Sequence, residues 1–217
     1  MKIGDLLFVL ASASLATVGF AQATPATHEM AMTTQSAPAP APKLQAAMRE
    51  LWHGHVVSTR NYALAVHAHD SAKAKVAADA VVANAKQIAA AVGSFYGKAA
   101  GDQTLQLLAG HWGGVKALTD ASAAGDSAGE QKAMADLSSN VTAIAKFFSS
   151  ANPNLPESAL QSLFATHMAH HATQIRQIMG GDSKGEQITW TEMQAHMNTI
   201  ADAFAGGIAK QFPDKAH

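Results

Sequence analysis

The chain has 217 residues, no cysteine, and a formal net charge of −1 when its 11 histidines are counted as neutral. The lack of thiols excludes disulfide bonds, cysteine-ligated zinc or iron–sulfur sites and covalently attached c-type haem. The balanced charge, without a basic stripe, argues against a nucleic-acid partner. The high histidine count is the distinctive feature of the composition, and it directs attention to imidazole chemistry.

The first 23 residues have the pattern of a secretory signal peptide. Lys2 supplies a positive start, Leu6 to Phe20 is an apolar stretch, and Ala21-Gln22-Ala23 offers small residues around a cleavage point. Residues 24–43 are rich in proline and alanine, which is typical of an extended tether. We therefore expect an exported protein, periplasmic or secreted, that has no membrane insertion after cleavage.

An internal repeat of 56 residues organises the rest of the chain. The repeat brings equivalent residues into register in three copies, over about 44–99, 100–155 and 156–211. The most informative column is His55, His111 and His167, and neighbouring columns hold leucine or aromatic residues. The region 44–213 is thus predicted to be one helical bundle with three structural copies.

Each copy is predicted to be a hairpin of two helices. In the first copy, mostly apolar residues step by three or four along 44–62 and again along 81–95, which indicates two helices that each turn one face inward. An Asp-Ser pair lies between them and recurs at 126 and 182, where it fits a turn and a helix N-cap. The predicted fold is all-α: six helices as three antiparallel hairpins in a pseudo-threefold arrangement.

The hairpin geometry predicts a polar layer across this bundle. His55 lies 15 residues before Asp70 and Asn84 lies 14 after it, so both stand roughly 21–23 Å from the turn at about 1.5 Å of rise per residue. The same counting applies to the other two copies. The layer is predicted to contain His55, His111, His167, Asn84, Asn140 and His196.

Three imidazoles that converge on one axis indicate a mononuclear metal site. Copper or zinc accepts three histidine nitrogens, and His196 is a candidate for the fourth ligand. Asn84 and Asn140 are candidates for orienting the ring N–H groups of the ligands. His167 and His171 have the i,i+4 spacing that can chelate, so His171 and the adjacent His170 are weaker candidates.

Two other interpretations remain open. The His and Asn layer can be a hydrogen-bonded device that fixes helix register, as buried polar residues do in coiled coils. A metal-dependent enzyme is the other, although the sequence designates no catalytic residue, and we expect binding rather than catalysis. A non-covalent haem site is disfavoured because three convergent imidazoles leave little room for a porphyrin.

The chain also resembles a family of small bacterial helical proteins without an assigned activity. The resemblance rests on a Leu-Trp-x-x-His motif at 51–55, a Ser-Ser-x-Asn-Pro turn at 149–153 and a terminal Gln-Phe-Pro at 211–213. It implies the helical fold and implies that the three repeated histidines are those of the family. Members carry acids one turn beyond the Asn positions, where this chain has Gln87 and Ala143, so the resemblance does not extend to a carboxylate-rich site.

Overall fold

The computed structural model describes residues 41–216, and this part of the chain is entirely helical apart from its turns. The helices are α1 (Pro42–His67), α2 (Ser71–Tyr96), α3 (Lys98–Ala124), α4 (Ser127–Ala151), α5 (Glu157–Met179) and α6 (Ser183–Gln211). The predicted all-α, six-helix bundle is confirmed. The first helix begins at Pro42, two residues before the predicted boundary, because proline is favoured in the first turn of a helix.

The six helices close into a ring, and three of them also meet at its centre. Each helix packs against the next along the chain, and α6 packs back against α1. In addition, α1, α3 and α5 contact one another. The helices that carry His55, His111 and His167 therefore meet at the centre of the bundle. The 56-residue repeat as such stays a prediction.

The turn inside each hairpin is closed by an aspartate. The side chains of Asp70, Asp126 and Asp182 accept hydrogen bonds from backbone N–H groups three residues later, at 2.9, 3.0 and 2.9 Å. Each aspartate thereby satisfies an N–H group that has no partner within its helix. The predicted N-caps of α2, α4 and α6 are confirmed, with the aspartate rather than the serine as the capping residue.

The residue before each of these aspartates has a left-handed backbone. The φ angles are 54° at His69, 66° at Gly125 and 71° at Gly181. A left-handed conformation costs little for glycine and more for a residue with a Cβ atom. The first hairpin therefore carries a backbone strain that the other two avoid.

Replacing Gly125 with alanine is expected to lower the free energy of unfolding by about 1 kcal/mol, because the positive φ disfavours a Cβ atom. The matched control is Gly113→Ala, at an exposed position inside α3. An added Cβ meets no atom within 4 Å at either site, so the comparison isolates the backbone. In the helix interior the change is expected to raise stability by up to about 1 kcal/mol. Urea unfolding of both variants measures the free energy of unfolding. A change of the same sign in the two variants would contradict the explanation.

The structure does not test the predictions for the N-terminal segment, but it bears on membrane insertion. The signal peptide at 1–23 and residues 24–40 of the tether lie outside the described residues. Within residues 41–216, no helix combines the length and the apolarity that a membrane crossing requires.

Candidate metal centre

Four histidine rings meet where the three central helices contact one another. The ring centroids of His55, His111 and His167 form a nearly equilateral triangle, with sides of 5.8, 5.7 and 5.6 Å. A fourth ring, that of His171, lies 5.8, 5.9 and 4.4 Å from those three centroids in the same order. The four rings therefore stand at the corners of a distorted tetrahedron.

The nitrogen atoms of these rings are near the separation that one metal ion requires. One potential ligand nitrogen from each ring lies within 4.8 Å of the others, and Nε2 of His167 and Nε2 of His171 are only 3.0 Å apart. Bonds of about 2.0–2.1 Å in a tetrahedron place ligand nitrogens about 3.3 Å apart. The wider pairs therefore need to close by up to about 1.5 Å for all four nitrogens to bind one ion.

Burial keeps these imidazoles neutral. All four side chains are buried, and this loss of solvation lowers the pKa of His55 to about 3 and that of His111 to about 4. The pKa values of His167 and His171 lie well below the usual range for the same reason, and the neighbouring histidines lower them further. A neutral imidazole keeps the lone pair that a metal ion needs.

Several ring nitrogens have no hydrogen-bond partner in the part of the chain that the structure describes. Both nitrogens of His111 and the Nδ1 atom of His167 are buried without a hydrogen bond. Asn140 raises the pKa of His111 and so offsets part of the effect of burial, yet no well-formed hydrogen bond joins the two side chains. An unpaired buried polar group costs about 1–3 kcal/mol, so the cluster is an unfavourable core unless a ligand occupies it.

The fourth member of the cluster is His171 and not His196. His171 lies one turn after His167 on the central helix α5, and the equivalent positions in the first two copies hold Thr59 and Val115. The i,i+4 spacing was the sequence signal for it. The repeat favoured His196 instead, because it treated the three copies as equal contributors to the layer.

Asn84, Asn140 and His196, which the repeat aligns with one another, have a different role. The Nδ2 atoms of Asn84 and Asn140 donate to the backbone carbonyls of Leu51 and Leu107 at 2.9 and 3.0 Å. His196 does the same through Nε2, which donates to the carbonyl of Leu163 at 2.8 Å. The structure therefore does not place Asn84 and Asn140 as hydrogen-bond partners of the histidine rings.

These three contacts hold the backbone that carries the cluster. Each carbonyl belongs to the residue four positions before His55, His111 or His167, one helical turn earlier. Glycine makes the contact possible in two copies, since a Cβ atom on Gly54 or Gly110 would stand 2.9 Å from the asparagine Nδ2. These hydrogen bonds thus fix the second helix of each hairpin to the first helix, one helical turn before the central histidine.

The other histidines of the described residues 41–216 lie outside the cluster. His170 is half-buried, and its ring centroid lies 5.3 Å from that of His196. Burial is the main cause that lowers the pKa of His170, and the neighbouring His196 lowers it further. It does not belong to the group of four that the structure brings together. His53, His67 and His69 are exposed.

The charged residues near this region pair with one another. Arg60 donates to both carboxylate oxygens of Glu186, at 2.6 and 2.8 Å, and Gln174 donates to one of them at 2.8 Å. The hydrogen bond from Arg60 holds the pKa of Glu186 below its usual range. Within residues 41–216, no carboxylate belongs to the histidine group, so its donors are four neutral nitrogens.

A small cavity adjoins the cluster. Its volume is about 20 Å³, and about 10–15 Å³ suffices for one water molecule on this measure. Three of the four histidines line it, together with buried apolar side chains. The complete lining is Trp52, His55, Thr104, Leu108, His111, Val141, Ile144, Phe148, Phe164, His167, Met197 and Ile200.

Comparisons with known proteins leave the cluster to be interpreted from its own geometry. No family model, curated protein or solved structure matches this chain. The resemblance to small bacterial helical proteins therefore stays a prediction. What the chain presents is a buried group of four histidines that is compatible with a bound metal ion.

Proposed function

We propose that this protein is an exported metal-binding protein that holds one copper or zinc ion between His55, His111, His167 and His171. The observation that carries the proposal is the convergence of four buried, neutral imidazoles whose ligand nitrogens lie within 4.8 Å of one another. Imidazole nitrogen suits both metals, and zinc favours four ligands in a tetrahedron. Its role is metal handling or sensing, and export rests on the N-terminal sequence.

The energetics of the core favour a metal over a purely structural polar layer. A layer that fixes helix register has to satisfy its own polar groups. Here His167 and His171 can pair with each other, but neither nitrogen of His111 has a hydrogen-bond partner within residues 41–216. A metal ion uses these free lone pairs and draws the four rings together.

A metal-dependent enzyme is the second candidate, and the small cavity beside the cluster is the observation that favours it. The cavity admits only a water-sized ligand. A larger substrate would need the bundle to open. Binding without catalysis is therefore the preferred proposal.

Metal analysis of the purified chain tests the proposal directly. We expect wild-type protein that has been loaded with zinc or copper(I) and desalted to retain one ion per chain by elemental analysis. His111→Ala is expected to lose it, because this change removes one of the three central ligands. The matched control is His53→Ala, which removes an exposed histidine from α1, on a different face of that helix from His55, and is expected to retain the ion.

Folding defects and ligand loss are separated by a second variant. His171→Val introduces the residue that occupies the equivalent position in the second copy, Val115, so the helix is expected to pack. Its three remaining histidines are expected to bind the ion at least tenfold more weakly, with a helical circular dichroism spectrum like that of wild type. Negligible metal in the loaded wild-type protein would defeat the proposal.

A further inference from the structure

The donor set of the proposed metal centre leaves its charge uncompensated. Four neutral imidazoles contribute no negative charge, and within residues 41–216 no carboxylate belongs to the group. Glu186, the buried acid on α6, is already neutralised by Arg60 at 2.6 Å. A divalent ion between the histidines would carry two positive charges into a buried core, which is costly unless an anion accompanies it.

The cavity beside the cluster provides space for such an anion. It is bounded by His55, His111 and His167 but not by His171. The open face of the centre therefore points away from His171, towards walls that include Leu108 and Phe164. Its volume of about 20 Å³ limits the occupant to the size of about one water molecule.

One residue that lines this cavity, Trp52, carries an unpaired donor. The indole Nε1 of Trp52 is buried and has no hydrogen-bond acceptor among residues 41–216, and Trp52 is only 7% exposed. Indole N–H groups can only donate, and a buried one normally finds an acceptor. An anion is an acceptor, so Trp52 supplies a second and independent reason for one at this place.

We propose that the cavity holds one small monovalent anion, which binds the metal on the face opposite His171 and accepts a hydrogen bond from Trp52. This inference rests on the proposed metal site. The chemistry that fits is that of hydroxide or fluoride: singly charged, compact and strongly hydrogen-bonding. Larger anions such as thiocyanate are excluded by the size of the cavity.

Cobalt(II) is a suitable probe, because its visible absorption weakens when a fifth ligand joins four. The cobalt content per chain is measured first. Fluoride and thiocyanate are then titrated at constant ionic strength with perchlorate. We expect fluoride to change the spectrum saturably with one anion per metal and thiocyanate to have no effect.

Two variants locate the anion. Trp52→Phe removes the donor and is expected to weaken fluoride binding tenfold or more, the range for a hydrogen bond to a charged group. Its control is Trp112→Phe, whose ring packs on Tyr62 instead. Val141→Ile is expected to fill the cavity and abolish the fluoride response, whereas Val82→Ile, at an exposed position, is expected to preserve it.

The possible outcomes separate the two proposals. A chain that takes up no cobalt, zinc or copper overturns both of them. A chain that retains one cobalt ion but shows no fluoride response overturns the anion alone. Equal fluoride affinity in wild type and Trp52→Phe, or thiocyanate binding as tight as fluoride binding, would also overturn it.

Discussion

Acidification from pH 7 to pH 4 is expected to unfold the metal-free protein cooperatively. Unfolded histidine has a pKa of about 6.5, whereas burial lowers the pKa to about 3 at His55 and about 4 at His111 in the folded chain. His167 and His171 are lowered in the same direction. As the pH falls below 6.5, the unfolded chain therefore binds protons that the folded chain does not, and stability declines.

The size of this effect sets the pH range. Each such histidine removes about 1.4 kcal/mol of stability per pH unit once the pH is well below 6.5. Four together remove roughly 5 kcal/mol per unit, which is comparable with the whole stability of a typical domain. We expect the unfolding transition between about pH 6 and pH 4, above the pKa values of the buried rings.

Circular dichroism in the presence of a chelator measures the transition. His171→Val is expected to reduce the dependence of the unfolding free energy on pH by about 1.4 kcal/mol per unit. The matched control is His67→Gln, an exposed position at the end of α1, where we expect the wild-type dependence. Full stability of the metal-free wild type at pH 4 would show that the four rings are not held neutral.

Metal binding is expected to raise the thermal stability of the chain substantially. A ligand that binds only the folded state at 1,000 times its dissociation constant adds about 4 kcal/mol. For a chain of this size that corresponds to roughly 10 °C in the midpoint of thermal unfolding. Zinc, added to chelator-treated protein at neutral pH, is expected to produce this shift, and magnesium is not, because magnesium prefers oxygen ligands.

The same experiment distinguishes the metal site from a polar layer that sets helix register. The metal site predicts that His111→Ala abolishes the zinc-dependent shift, while His53→Ala preserves it. The polar layer predicts no shift in any of these proteins. It also predicts that replacing His55, His111 and His167 together by leucine maintains or raises stability, since hydrophobic residues often replace buried polar groups favourably.

Local patterns in the sequence were sufficient for the helices and for most of the centre. Helical periodicity predicted all six helices because each one buries a single face. The aspartates before α2, α4 and α6 were recognisable as caps because the interaction spans only three residues. The column of His55, His111 and His167 was also recognisable, since equal spacing in similar hairpins brings equivalent residues to equal heights.

The tertiary structure alone decided which histidine is the fourth member of the cluster. Height along a hairpin does not say whether a side chain faces the bundle centre or a neighbouring backbone, and this orientation separates His171 from His196. His196 donates to the carbonyl of Leu163, as Asn84 and Asn140 donate to theirs, whereas the ring of His171 lies within 6 Å of the three central rings. The cavity and the unpaired Trp52 likewise depend on how six helices pack, which no local pattern encodes.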